Sequence, residues 1–175
     1  MAELRALTIK ALRDVTPHTH LTVRHAPSNG LCWWYCFGRC VQKTKDELID
    51  LWHQHLTQSP EEWIMRQEIL ELDSLNRYVT LLRSGEIWAD EGVMTFLSKH
   101  FSLQLLVLKS DNDGNVSHFR FPFQSSASHC AVFRFVHHHY DNVLVNKNYS
   151  FPKSKIDESL HKLWFEPSIK LIPQE

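Results

Sequence analysis

The run Leu103-Gln104-Leu105-Leu106-Val107-Leu108 is almost continuously apolar and of strand length, and it constrains the fold more than any other stretch of the chain. So apolar a strand is a buried one, and other elements have to cover it. Downstream, Phe119, Phe121 and Phe123 alternate with His118, Arg120 and Pro122, which reads as a half-buried strand near a sheet edge because of its proline. Two further strands are expected over 130–136 and 142–145, with a histidine run between them. Helical signals dominate everything upstream. Helices first and a mostly sequential sheet afterwards predict an α+β fold, with N-terminal helices packed against a mostly antiparallel C-terminal sheet.

The helical half is well punctuated. Leu4, Leu7, Ala11 and Leu12 predict a short amphipathic helix that Pro17 ends, and Leu21-Thr22-Val23 a short strand. From Cys32 to about Val41 the residues are too apolar and aromatic for a solvent face, so this is the expected central buried helix, although Gly38 weakens it. Thr44 with Glu47 three residues on, Ser59-Pro60 followed by two acids, Asp73, and Asp90 each signal a helix start. Ser84-Gly85 closes the run that Asp73 opens, and 111–115 is a turn by composition. Leu160, Leu163, Trp164 and Phe165 are enough for the tail to dock on the core. The expectation is one domain over 1–175, its motif-bearing core at about 20–150 and a C-terminal extension at 151–175.

Composition removes several function classes. Of 175 residues 43% are hydrophobic, enough for one sizeable core. Nineteen Lys and Arg against twenty Asp and Glu leave a formal charge of −1, which argues against a nucleic-acid partner. No apolar run approaches the roughly 20 residues of a membrane span, and the N-terminus lacks the pattern of a secretory signal. No membrane partner is expected. Four cysteines, three bunched at 32, 36 and 40, do not resemble a disulfide framework, so a reducing compartment, the cytoplasm, is expected.

The chemistry concentrates at Ser28-Asn29-Gly30-Leu31-Cys32-Trp33-Trp34-Tyr35, a short turn that feeds a cysteine into the start of the central helix. Gly30 permits tight or positive-φ backbone, so the amides of Gly30, Leu31 and Cys32 can converge on a negative charge beside the sulfur. The first helical turn also favours thiolate over thiol. Nucleophilic attack by Cys32 on a carbonyl, with Asn29, Gly30 and Leu31 shaping the oxyanion turn, is the chemistry this predicts.

A base has to come from elsewhere, and His139 in His137-His138-His139-Tyr140-Asp141 is the candidate. Asp141 lies two residues on, so an extended strand projects both side chains from one face and the carboxylate can hold the imidazole tautomer. His137 or His138 could replace His139 as the base; on that strand His137 shares a face with His139 and His138 takes the other, and Tyr140 picks out His139. Cys36 and Cys40 continue the stripe of Cys32 at i+4 and i+8, a spacing expected of core thiols; as metal ligands they would need His or Cys from elsewhere. Neither a metal nor a cofactor is expected. Trp88 is expected to pack beside the active cleft.

These residues resemble the OTU (ovarian tumour) cysteine proteases, most of which are deubiquitinases. Asn29-Gly30-Leu31-Cys32-Trp33-Trp34 is similar to their Asp-Gly-Asn-Cys motif with its bulky apolar pair, and Trp88 through Leu108 to their middle segment. His139-Tyr140-Asp141 matches their His-aromatic-Asp or -Asn motif. The resemblance covers roughly 28–147. Asn29 stands where the family usually has aspartate, and Leu31 replaces a polar residue. The insert between about 45 and 83 aligns with nothing specific, in a region that often contributes ubiquitin contacts in that family.

The resemblance implies a papain-like OTU fold and a thiol isopeptidase that cuts after the Gly-Gly terminus of ubiquitin or a ubiquitin-like protein, with Cys32, His139 and Asp141 as its catalytic residues. It implies ubiquitin conjugates as partners of a monomeric enzyme, in a host cytosol if the protein is viral or an effector. A viral papain-like protease processing a polyprotein, a catalytically inactive ubiquitin-binding module and a zinc-binding interaction domain are the alternatives.

Overall fold

The computed structural model describes residues 20–110, 116–122 and 125–155. The helix expected near the N-terminus, the 111–115 turn, Phe123 and the apolar residues of the tail lie outside them. After strand β1 (Leu21–Arg24) come five helices, α1 (Cys32–Val41), α2 (Lys45–Gln58), α3 (Pro60–Leu70), α4 (Leu75–Ser84) and α5 (Glu91–His100). Then follow β2 (Leu103–Ser110), β3 (Val116–Phe121), β4 (His129–Val136), β5 (His139–Val145) and the two-residue β6 (Phe151–Pro152), with a single 3₁₀ turn at Lys153–Lys155.

Side chains set the helix starts. Thr44 Oγ1 accepts the Glu47 N–H and Glu47 Oε1 accepts the Thr44 N–H, a closed capping box. Asp90 Oδ1 accepts the Val93 N–H and caps α5. The cap of α4 is Ser74 rather than Asp73, because Ser74 has the extended backbone that lets its Oγ accept the Arg77 N–H. Gly85 ends α4 at φ 82°, a left-handed conformation that glycine takes without strain. No helix of the described residues is long and apolar enough to cross a membrane.

The sheet order is β1-β5-β4-β2-β3, with β6 pairing β4. Among the described residues only β2 and β4 run parallel; the other pairings are antiparallel. This departs from a sequential sheet: β3 occupies the outer side of β2, so β4 enters on the inner side, parallel to it. β3 is an edge, as Pro122 just beyond it requires. β2, held between β3 and β4, is buried from Leu103 to Leu108. The helices bury Trp34, Phe37, Trp52, Tyr78 and Leu97 with the apolar side chains of β2 and β4 in one core. Within it Trp52 Nε1 donates to the Tyr78 hydroxyl at 3.0 Å, so neither aromatic leaves a polar atom stranded.

The histidine run differs from its expectation. His139 pairs with Val136 in the β4–β5 ladder, so β5 begins at His139, and His137 and His138 form the two-residue turn between the strands. Both have positive φ, 50° and 61°, as a tight hairpin turn with the twist of its strands requires. His137 is therefore not a strand neighbour of His139.

Candidate active site

Cys32 is the first residue of α1 and is buried. The turn before it is held by Asn29: the Asn29 N–H donates to Pro27 O at 2.9 Å, and Asn29 Oδ1 accepts the Leu31 N–H at 2.9 Å. That contact occupies the Leu31 amide. The Cys32 N–H makes a long 3.3 Å bond to Asn29 O. Gly30 owes its place to close approach rather than positive φ, since a Cβ there would lie 1.8 Å from the Gly85 carbonyl oxygen.

Strand β5 brings the second half of the site. His139 and Asp141, two residues apart on one extended strand, are joined by a 2.8 Å hydrogen bond from His139 Nε2 to Asp141 Oδ1. An ionised carboxylate only accepts, so Nε2 carries the proton and Nδ1 is the ring nitrogen left to face a substrate or the sulfur. Asp141 Oδ1 also accepts the Ala26 N–H at 2.9 Å, and Oδ2 receives Arg134 Nη2 at 2.8 Å. Burial alone would raise the Asp141 pKa, but the bonds from Arg134, the Ala26 amide and His139 outweigh it and hold the carboxylate below its usual range.

The two halves meet at the sulfur. The Tyr140 N–H donates to Cys32 Sγ at 3.4 Å, next to His139 in the chain. The sulfur's partner across the cleft is this amide, not the imidazole. Burial pushes the Cys32 thiol above its ordinary value, and the Asp141 charge adds to that, against the N–H groups of Tyr140, Trp33 and Cys32, which pull the other way. The expected preference for thiolate at the helix start is thus outweighed by desolvation.

A cavity of about 230 Å³ opens beside this meeting point, lined by the turn at 28–30, Trp88 and His137, His138 and His139. Trp88 lies beside this cleft as expected, half exposed, with its indole nitrogen against Gly30 and its ring 5.9 Å from that of His138. A larger cavity, about 630 Å³, lies away from the cysteine, among His55 and Glu62 of α2 and α3 and Phe96 and Lys99 of α5. Cys36 is buried, and Cys40 Sγ lies 3.4 Å from both the Cys36 and the Tyr149 carbonyl oxygens. Both thiols are pushed up by burial. Among the described residues no group of three or more His, Cys, Asp or Glu is placed to hold a metal ion.

Sequence reasoning missed the residues that hold the parts together. Asn142 donates to Cys36 O at 3.0 Å and accepts from Arg39 at 3.0 Å, which ties α1 to β5. Arg134 was legible in principle: a cation inside the apolar run Ala131-Val132-Phe133-Arg134-Phe135-Val136 demands a buried partner.

No protein-family model matches the sequence, and no curated protein is significantly similar to it. Solved structures are. An OTU domain solved in complex with ubiquitin superposes with a TM-score of 0.65 at 16% identity, over 85% of this chain and 86% of that one. The OTU domain of OTUD1 gives 0.58 at 10% identity, over 82% and 98%. The viral OTU domain protease of Dera Ghazi Khan virus gives 0.51 at 14% identity, over 71% and 81%. This chain has an OTU-like α+β fold, carried by a sequence only 10–16% identical to those of the structures it resembles.

Proposed function

We propose that this protein is a thiol-dependent deubiquitinase that hydrolyses isopeptide bonds after the C-terminal Gly-Gly of ubiquitin or a ubiquitin-like modifier. The observation that carries this reading is the Cys32, His139 and Asp141 arrangement: a helix-start cysteine under the Tyr140 amide, with a carboxylate-oriented imidazole one residue away. His139 Nδ1 takes the proton of Cys32, and the thiolate attacks the carbonyl carbon. The amides of Gly30 and Cys32 stabilise the oxyanion, the Leu31 amide being held by Asn29. His139 then protonates the departing lysine amine, and water activated by the same ring releases the thioester. Because the resting thiol is held protonated, proton transfer to His139 accompanies attack.

The half-exposed Trp88 and the hairpin tip suit a thin, flexible peptide tail. A surface for the modifier's globular part is available on α3, where Ile64, Met65 and Ile69 are exposed and no residue is buried. The test is a ubiquitin probe bearing a C-terminal electrophile. A covalent adduct on the wild type that is absent from Cys32→Ala supports the reading; no adduct on folded wild type overturns it.

The raised Cys32 thiol, bonded to an amide and not to the imidazole, favours a second reading: an OTU-like module that binds ubiquitin without cutting it. Saturable ubiquitin binding with neither probe labelling nor chain cleavage is its signature.

A further inference from the structure

Arg134 and Asp141 are register partners across the antiparallel β4–β5 ladder, and both are buried, at 4% and 1% exposure. The carboxylate is divided between two tasks. Oδ2 receives Arg134 Nη2 at 2.8 Å, while Oδ1 takes the Ala26 amide and His139 Nε2. A buried carboxylate against an imidazole draws a proton onto the pair, which would charge the ring before any thiol gives up its proton. A guanidinium never deprotonates and cancels part of that pull.

We propose that Arg134 is a positioning residue of this site: it turns Asp141 so that Oδ1 faces His139 and partly neutralises it, leaving the imidazole uncharged and ready to take the Cys32 proton. The inference rests on the reading of Cys32 and His139 as nucleophile and base. It also agrees with the protonated resting thiol, since a neutral imidazole gives the sulfur no cation to lean on. The other titratable groups around the pair are His25, whose Nδ1 is 3.4 Å from Asp141 Oδ2 on an exposed side chain, the Cys32 and Cys36 thiols of α1, and His137 and His138, which line one cavity with His139. His25 is an imidazole against the same carboxylate oxygen that receives Arg134, so it is removed in the test.

The test follows the His139 ring by NMR against pH in a His25→Gln background, with His139→Asn identifying its resonances. Adding Arg134→Met, which replaces the cation by an apolar chain of similar length, should move proton uptake by the Asp141–His139 pair upward by about one pH unit. In an Asp141→Asn background the same change should move the ring less, because the guanidinium then acts only from farther away. Arg134→Lys, with a compact ammonium in place of the planar fork, should give a smaller upward shift, and it decides the matter if Arg134→Met does not fold. An unmoved titration in folded Arg134→Met, or in Arg134→Lys when the former does not fold, overturns the proposal. A shift just as large without the Asp141 carboxylate overturns it too. None of these readouts needs ubiquitin. A protein that titrates as expected but ignores the ubiquitin probe therefore fails the functional reading and leaves the role of Arg134 standing.

Discussion

The backbone N–H of Tyr140 points at the sulfur of Cys32 over 3.4 Å, although 108 positions separate the two residues in the chain. This amide is fixed by the β4–β5 ladder, where Tyr140 pairs with Phe135, so the sulfur and the neighbouring His139 are held to one frame. His139→Ala should leave that frame intact and slow probe labelling by about 10²–10⁴-fold, the usual worth of a positioned base. Intact-mass spectrometry reads the labelling. With the ring gone, alkylation of Cys32 should keep rising through pH 9.0 and above, because burial holds the thiol above that value. A plateau below about pH 8 would contradict the assignment.

Asp141→Ala should cost stability as well as activity. It removes the carboxylate paired with the buried Arg134 and leaves the Ala26 amide without its acceptor. Removing one partner of a buried ion pair costs about 3–5 kcal/mol, which urea unfolding followed by circular dichroism will show. Adding Arg134→Met should restore part of the loss, since the buried cation then goes together with its carboxylate.

Gly30→Ala should cost both activity and stability. The new methyl would meet the Gly85 carbonyl oxygen at 1.8 Å and the Trp88 indole nitrogen at 2.6 Å, so the turn must move away from both. The displacement falls on the amides that would face the oxyanion. Probe labelling should drop at least about tenfold, the effect of roughly 1.4 kcal/mol at the transition state, and the melting temperature should fall as well, because the clash is with the Gly85 backbone and not with a flexible side chain.

The exposed face of α3 should contribute binding and not chemistry. Ile69 is 78% exposed, so Ile69→Asp should leave the fold and the alkylation of Cys32 by iodoacetamide unchanged. Steady-state cleavage of a ubiquitin conjugate should show KM raised by about tenfold with kcat unchanged, the pattern of lost uniform binding.

His118 sets an acid limit on stability. It is buried on β3, and among the described residues neither ring nitrogen has a hydrogen-bond partner. Burial and then the Arg120 charge hold its pKa below the ordinary value of 6.5. The unfolded chain therefore binds this proton more readily than the native one. The contribution is fully present above pH 6.5 and is lost as the pH falls from there through the native value. Urea midpoints measured from neutral pH downward should decline, and His118→Leu should flatten the decline.

Local signals account for most of the helical layout. The Thr44 box, the Pro60 start, the Asp90 cap and the Gly85 stop act within four residues of themselves, so short stretches of sequence carry them completely. The misplaced features depended on partners elsewhere. His137 and His138 read as strand from their neighbours, yet the register of β4 against β5 makes them a turn. Gly30 reads as a conformational glycine, yet it is the approach of Gly85 that needs it. Helix position alone suggests a thiolate at Cys32, whereas the surrounding core removes the water a thiolate would need.

The sequence by itself determined that an apolar strand would be covered by helices, that a cysteine would open the central helix, and that a carboxylate would stand two residues past a histidine. Each follows from spacing along one element. Tertiary structure decided that β4 runs parallel to β2, that Arg134 shares Asp141 with His139, and that the Tyr140 amide reaches Cys32. Those are distances between elements far apart in the chain. They are fixed by which apolar faces pack together and not by any residue's own preference.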